Sequence, residues 1–121
     1  MTENQFMKTK LIIKPVIAGM LLLALTSGTA RATETKELWD KNCASCHGKD
    51  GKGDTKMGKK VDVKDYTDPK FQAEYKEEKG IKAIKEGITE KGKERMKAYT
   101  EKFSDEEIKA LAAHVRTFKQ P

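Results

Sequence analysis

Five consecutive residues concentrate the chemistry of this chain: Cys43-Ala44-Ser45-Cys46-His47. Two thiols with two residues between them lie on one side of a short helical turn, and an imidazole follows at once. On such a turn the two sulfurs can reach the two vinyl groups on one edge of a porphyrin and form thioethers. The histidine then sits beneath the ring as an axial iron ligand. The spacing predicts a single covalent haem c, tethered by Cys43 and Cys46 and ligated by His47. Two other chemistries use a cysteine pair at this spacing. A thioredoxin-like redox centre needs strands around the pair, and no sustained alternating pattern is visible. A zinc ribbon needs a second pair, and the chain has two cysteines in all.

Iron has a second axial position, which the rest of the chain must fill or leave open. Met96, Met57 and His114 are the candidates outside the N-terminal segment. A thioether is a soft donor that favours ferrous iron and raises the potential. Met96 follows His47 at a distance that lets the chain wrap round a ring and return from the opposite face. Met57 comes soon after His47, in a stretch still leaving the first face. His114 lies beside the apolar stripe of the last helix, where a lone histidine more often packs than ligates. Met96 is therefore the first choice as distal ligand, with Met57 and His114 as alternatives.

The elements that must position these groups are helical. Residues 34–46 read as a first helix, with Leu38 and Trp39 as an apolar patch one turn before Cys43. Residues 48–64 read as a loop, because Gly48, Gly51, Gly53 and Gly58 favour turns. Asp68 and Pro69 have the chemistry of an N-cap and first turn, and they open a second helix carrying Phe71 and Tyr75. Gly80 is expected to interrupt it, and Ile81, Ile84 and Ile88 mark a third helix that ends near residues 87–89. Residues 89–103 read as a second loop, carrying Met96. Ser104 with Glu107 forms a capping box for the last helix. Its buried stripe is Ile108, Leu111, Ala112, Val115 and Phe118. The fold class is all-α.

The N-terminal segment has the pattern of an export signal. Lys8, Lys10 and Lys14 precede an apolar run over residues 16–25, and Ala30-Arg31-Ala32 offers small residues for a signal peptidase. Cleavage after Ala32 is expected, so that residues 1–32 are signal peptide and residues 33–121 form the single mature domain. The apolar core is too short for a spanning helix, which wants about 20 apolar residues. The destination is periplasmic, or an equivalent extracytoplasmic space, and the mature chain is expected to be a monomer with no stable membrane span. Removing Lys8, Lys10, Lys14 and Arg31 against Glu3 halves the net charge of +6. A nucleic-acid partner is excluded on this reading, because no basic stripe with interleaved aromatics is present.

The chain resembles the class I cytochromes c, the small soluble monohaem type. The residues that carry the resemblance are Cys43-Ala44-Ser45-Cys46-His47-Gly48, then Asp50-Gly51-Lys52-Gly53, then Met96 ahead of Ser104-Asp105-Glu106-Glu107-Ile108 and on to Arg116. It spans nearly all of residues 33–120. It implies three to four short helices wrapped round one haem, covalent attachment at Cys43 and Cys46, and iron ligation by His47 and Met96. It also implies crossing of the first and last helices, with Leu38 or Trp39 meeting Val115 or Phe118. Two departures stand out. The family often has proline directly after the ligand methionine, and here Lys97-Ala98-Tyr99 follows. It often has a proline whose carbonyl accepts the histidine N–H, and here Gly58-Lys59-Lys60-Val61 occupies about that place.

With both axial positions filled, iron only changes charge, so an electron carrier is expected rather than an enzyme. Its partners are then other redox proteins. Residues 49–64 hold six lysines and three aspartates, and residues 91–102 hold five basic residues and two glutamates, so a positive rim that steers an acidic partner is one expectation. The alternatives are a haem-based sensor or peroxidase with a labile distal site, and a haem subunit of a larger dehydrogenase complex.

Overall fold

The computed structural model describes residues 27–121. Six short helices and one two-stranded hairpin are present among the described residues. The helices are α1 (Ser27–Asn42), α2 (Ala44–His47), α3 (Lys56–Val61), α4 (Pro69–Glu74), α5 (Glu77–Glu86) and α6 (Asp105–His114), and a 3-10 turn, Val115–Phe118, continues α6. The hairpin strands are β1 (Ile88–Glu90) and β2 (Lys93–Met96). The all-α class expected from periodicity is observed, with the hairpin as its one strand feature among these residues.

The core lies where α1 crosses the last helix. Trp39, Phe103, Ile108, Leu111 and Val115 form one buried cluster, and Ile108 is fully buried. The Trp39 ring centroid lies 5.1 Å from that of Phe118, so the expected crossing contact is made. The Ser104 capping box is present: Ser104 Oγ accepts from the Glu107 amide at 3.2 Å, and the Glu107 carboxylate accepts from the Ser104 amide at 2.8 Å. Asp68 caps α4 through the Lys70 amide at 2.8 Å, with Pro69 in the first turn. Helix α4 is clamped to the C-terminal segment by side chains. Gln72 Nε2 donates to the Tyr66 and Val115 carbonyls, and the Arg116 guanidinium donates to the carbonyls of Gln72 and Tyr75.

Four local expectations are corrected. The first helix is two, broken at Cys43, and its start lies at Ser27 rather than near residue 34. The Asn42 side-chain amide bonds back to the Leu38 carbonyl at 2.9 Å, a local bond of the kind that loosens a helix end. The stretch 48–64 is not all loop, because α3 forms within it. Thr55 Oγ1 caps α3 by accepting from the Gly58 amide at 2.8 Å. Gly58 does not break this helix; its missing Cβ lets α3 lie against the carbonyls of Cys46 and Gly53. Gly80 does not interrupt α5 but sits inside it, because the Tyr75 ring packs where a side chain would project. The stretch 89–103 is partly a hairpin, turned by Lys91 and Gly92, both with positive φ, as a two-residue turn of the primed type requires.

Helix α1 runs without a break through the expected cleavage point after Ala32. The remainder of the expected signal segment, residues 1–26, lies outside the described residues.

Candidate haem site

The short helix α2 and its N-cap residue Cys43 present Cys43, Cys46 and His47 to one cavity, and backbone contacts hold the turn. Trp39 Nε1 donates to the Gly48 carbonyl at 3.0 Å in a buried bond. Thr55 Oγ1 donates to the Cys46 carbonyl at 2.8 Å, and the Gly53 amide donates to the His47 carbonyl at 2.8 Å. The turn that makes this possible needs positive φ at Gly48, Gly51 and Gly53. At Gly51 a Cβ would collide with the Phe118 ring. The glycines read as loop signals therefore serve to fold the chain back tightly onto the cysteine–histidine turn.

His47 packs into a three-ring aromatic cluster with Tyr66 and Trp39. Its ring stacks on Tyr66 at 5.0 Å between centroids and 18° between planes, and Trp39 lies 5.6 Å away. Burial pushes its pKa down to about 4, which keeps the ring neutral and its lone pair available to a metal. Its Nδ1 is buried and makes no hydrogen bond. The sequence suggested a carbonyl from residues 58–61 as its partner. The Gly58 carbonyl instead accepts from the Val63 amide at 3.0 Å. Both cysteines are free thiols. Burial, with the neighbouring Cys46, pushes the Cys43 thiol up to about 11, so it stays protonated and a weak nucleophile at neutral pH.

The hairpin supplies another part of the lining. Met96, the last residue of β2, pairs with Ile88 of β1 and lines the same cavity of about 470 Å³ as Cys43, Cys46 and His47. The segment after it is tied back to the helices: the Tyr99 amide donates to the Ile84 carbonyl at 2.8 Å, and Tyr99 Oη donates to the Asn42 carbonyl at 3.2 Å. Gly87 packs directly under the Met96 carbonyl, where a Cβ would lie 2.6 Å from that oxygen. Ile84, Leu111 and Val115 give the cavity an apolar floor.

All four site residues expected from the sequence thus meet at one cavity. Of the alternatives to Met96, Met57 also lines it from α3 and is 44% exposed. His114 does not. It packs against both Trp39 and Phe118, at 5.3 and 5.1 Å between ring centroids. Two further residues of the lining, Tyr66 and Arg95, were not singled out from sequence. Tyr66 carried no signal of its own, and Arg95 carried only its position next to Met96. The residues present fit a covalent porphyrin: two unpaired thiols, a neutral imidazole with an unpartnered ring nitrogen, and a thioether on an apolar-floored cavity.

The family model for cytochrome C oxidase, cbb3-type, subunit III matches residues 30–115. Among solved structures the chain is similar to KustC0563, a c-type cytochrome, at 35% identity with a TM-score of 0.64, covering 71% of this chain and 98% of that one. A tyrosine-to-phenylalanine mutant of Kustc0563 matches at 35% identity with a TM-score of 0.62, covering 70% of this chain and 98% of that one. No curated protein matches. A cysteine–histidine turn of this geometry, on a helical fold shared with a c-type cytochrome, shows that the chain belongs to the c-type cytochromes, within the cbb3-type subunit III family, whose domain carries haem-based electron transfer.

Proposed function

We propose that this chain is a periplasmic electron carrier with one haem c, tethered by Cys43 and Cys46 and ligated by His47 and Met96. The observation that supports this most is that these four side chains share one cavity. Bound haem supplies one-electron chemistry at iron; the remaining work belongs to the chain. His47 donates from a neutral ring kept so by burial. Met96 supplies a soft donor that favours the ferrous state. Ile84, Leu111 and Val115 exclude water from the cavity floor. A site closed on both sides leaves no position for a substrate, which favours a carrier over an enzyme.

The location rests on the signal pattern of residues 1–32. No helix among the described residues is long and apolar enough to cross a membrane. The intact mass of the purified exported protein should equal residues 33–121 plus one haem. In the ferric spectrum a weak red band should report the iron–thioether bond. Met96→Ala should abolish that band, lower the reduction potential and admit carbon monoxide to the reduced protein. A spectrum unchanged by Met96→Ala would transfer the distal role to Met57.

One observation favours a second reading, a sensor or peroxidase with a labile distal site. Met96 stands on a hairpin whose strand β1 is exposed along its length, and no proline follows it. Rapid carbon monoxide binding by the unmutated reduced protein would select this reading.

The partner is a redox protein with an acidic docking face. Lys64 and Lys97 line the cavity and are exposed, but so are Asp62, Glu90 and Glu94, so a positive rim that raises the association rate rests on the other lysines of residues 49–64 and 91–102. The electron-transfer rate should fall with ionic strength; a rate indifferent to salt removes the rim.

A further inference from the structure

The hairpin carries a second group aimed at the same cavity as Met96. In a regular strand, consecutive side chains alternate between faces, so Arg95 and Met96 would point in opposite directions. Here the register is interrupted. Ile88 pairs with Met96 and Thr89 with Glu94, which makes Arg95 the extra residue of a bulge. A bulge re-aims side chains, and both Arg95 and Met96 line the cavity.

Arg95 is unlike the other cations there. Lys64 and Lys97 are exposed, whereas Arg95 is half-buried. Its Nε is buried and makes no hydrogen bond. The nearest acid, Glu90 Oε2, lies 3.8 Å from that nitrogen on a side chain that is 67% exposed, too far for a hydrogen bond. A buried guanidinium N–H without an acceptor is costly. That nitrogen has no exposed surface of its own, but the side chain as a whole is 29% exposed and lines the cavity. The rest of the guanidinium is thus left to meet an acceptor there, and the group that best matches a guanidinium fork is a carboxylate. A porphyrin of the haem c type carries two propionate carboxylates.

We propose that Arg95 is a positioning residue that binds a haem propionate through its guanidinium. This rests on reading the cavity as the haem site. The cation offsets the propionate charge in the apolar-floored cavity and raises the potential of the iron. It also ties the hairpin to the cofactor's edge, and so helps hold Met96 on the distal side.

The test uses the haem-loaded protein. In the unmutated protein, the Arg95 guanidinium protons should show nuclear Overhauser contacts to the haem propionate methylenes, and the propionate bending mode in the resonance Raman spectrum should be that of a hydrogen-bonded carboxylate. Arg95→Gln should shift that mode and lower the reduction potential while leaving the iron–thioether band in place. Arg95→Lys keeps the charge without the planar fork and should restore the potential in part. The proposal is overturned by absence of those contacts in the unmutated protein, by a Raman mode and potential indifferent to Arg95→Gln, or by loss of those contacts in Glu90→Gln, which would make Glu90 the partner. A purified protein without covalent haem overturns this inference and the reading beneath it together. A haem-loaded protein that fails the Arg95 measurements overturns the inference alone.

Discussion

The two walls of the cavity are built in opposite ways. On the cysteine–histidine side, the groups that face the cavity lie within five residues, and the surrounding backbone is bonded at short range in sequence. The Trp39 indole, the Thr55 hydroxyl and the Gly53 amide all hold that turn from within ten positions of it. On the hairpin side, Met96 rides on a two-stranded ribbon whose own strands are short and largely exposed. An isolated hairpin is marginal in water. What steadies it are contacts to other elements: Tyr99 to Ile84 and Asn42, and Thr100 Oγ1 to the Lys85 carbonyl at 2.7 Å. One wall is locally rigid; the other is held in place from outside. The lesson is that damage to the first should unfold the protein, whereas damage to the second should release a ligand from a protein that is still folded.

Three substitutions sharpen or break this contrast. The largest effect is expected from Trp39→Ala. Trp39 is 3% exposed, packs on Phe118 and donates to the Gly48 carbonyl. Its truncation should cost about 3–5 kcal/mol, read by denaturant unfolding, and should lower the yield of haem-loaded protein. A loss below about 1 kcal/mol would show that the wall does not depend on it.

Gly87→Ala should act on the other wall. Gly87 has φ +73° and ψ −177°, a region essentially reserved for glycine, and the strain costs about 1–3 kcal/mol. Because the new Cβ meets the Met96 carbonyl and the Ala98 amide, the hairpin must shift. The expected signature is a weakened iron–thioether band in a protein whose unfolding remains cooperative. A collapse of the whole fold instead would erase the distinction between the walls.

The smallest effect belongs to His114, at the rear of the first wall. Burial holds its pKa below the ordinary 6.5, against the opposing pull of the Asp40 carboxylate. The folded state thus prefers the neutral ring. Its contribution to stability is complete above pH 6.5 and declines as the pH falls below that value toward the lower folded pKa. The ring is only half-buried, so the change should stay below about 1 kcal/mol. His114→Gln should flatten that part of the stability profile, measured by thermal unfolding across mildly acidic pH.

Much of the first wall was legible in the sequence. Cys43, Cys46 and His47 announce their chemistry by spacing, and the Ser104–Glu107 box and the Asp68–Pro69 start are local capping rules that the structure obeys. The readings that went astray concern glycine. The sequence pattern reads Gly58 and Gly80 as breakers because the intrinsic helix propensity of glycine is poor. Each instead lies in a helix because another group needs the space: the Cys46 and Gly53 carbonyls at Gly58, and the Tyr75 ring at Gly80. No single-sequence pattern distinguishes a glycine that ends a helix from one that lets a neighbour approach. The hairpin was missed for a related reason. Its strands span three and four residues, too short for alternation to be visible, and Lys91-Gly92 is a weaker turn signal than Asn-Gly.

By itself, the sequence determined the helical class, the tethering motif, the capping of α4 and α6 and the apolar stripe that meets Trp39. These depend on residues within a turn or two of each other, where covalent geometry and periodicity leave few options. Only the tertiary structure decided that Met96 and Met57 both reach the cavity while His114 is turned to its rear. It alone decided that α3 caps itself on the cysteine–histidine turn, and that a one-residue slip in the hairpin brings Arg95 to the same face as Met96. These facts depend on segments far apart in the chain, whose meeting is set by which surfaces can close over one another.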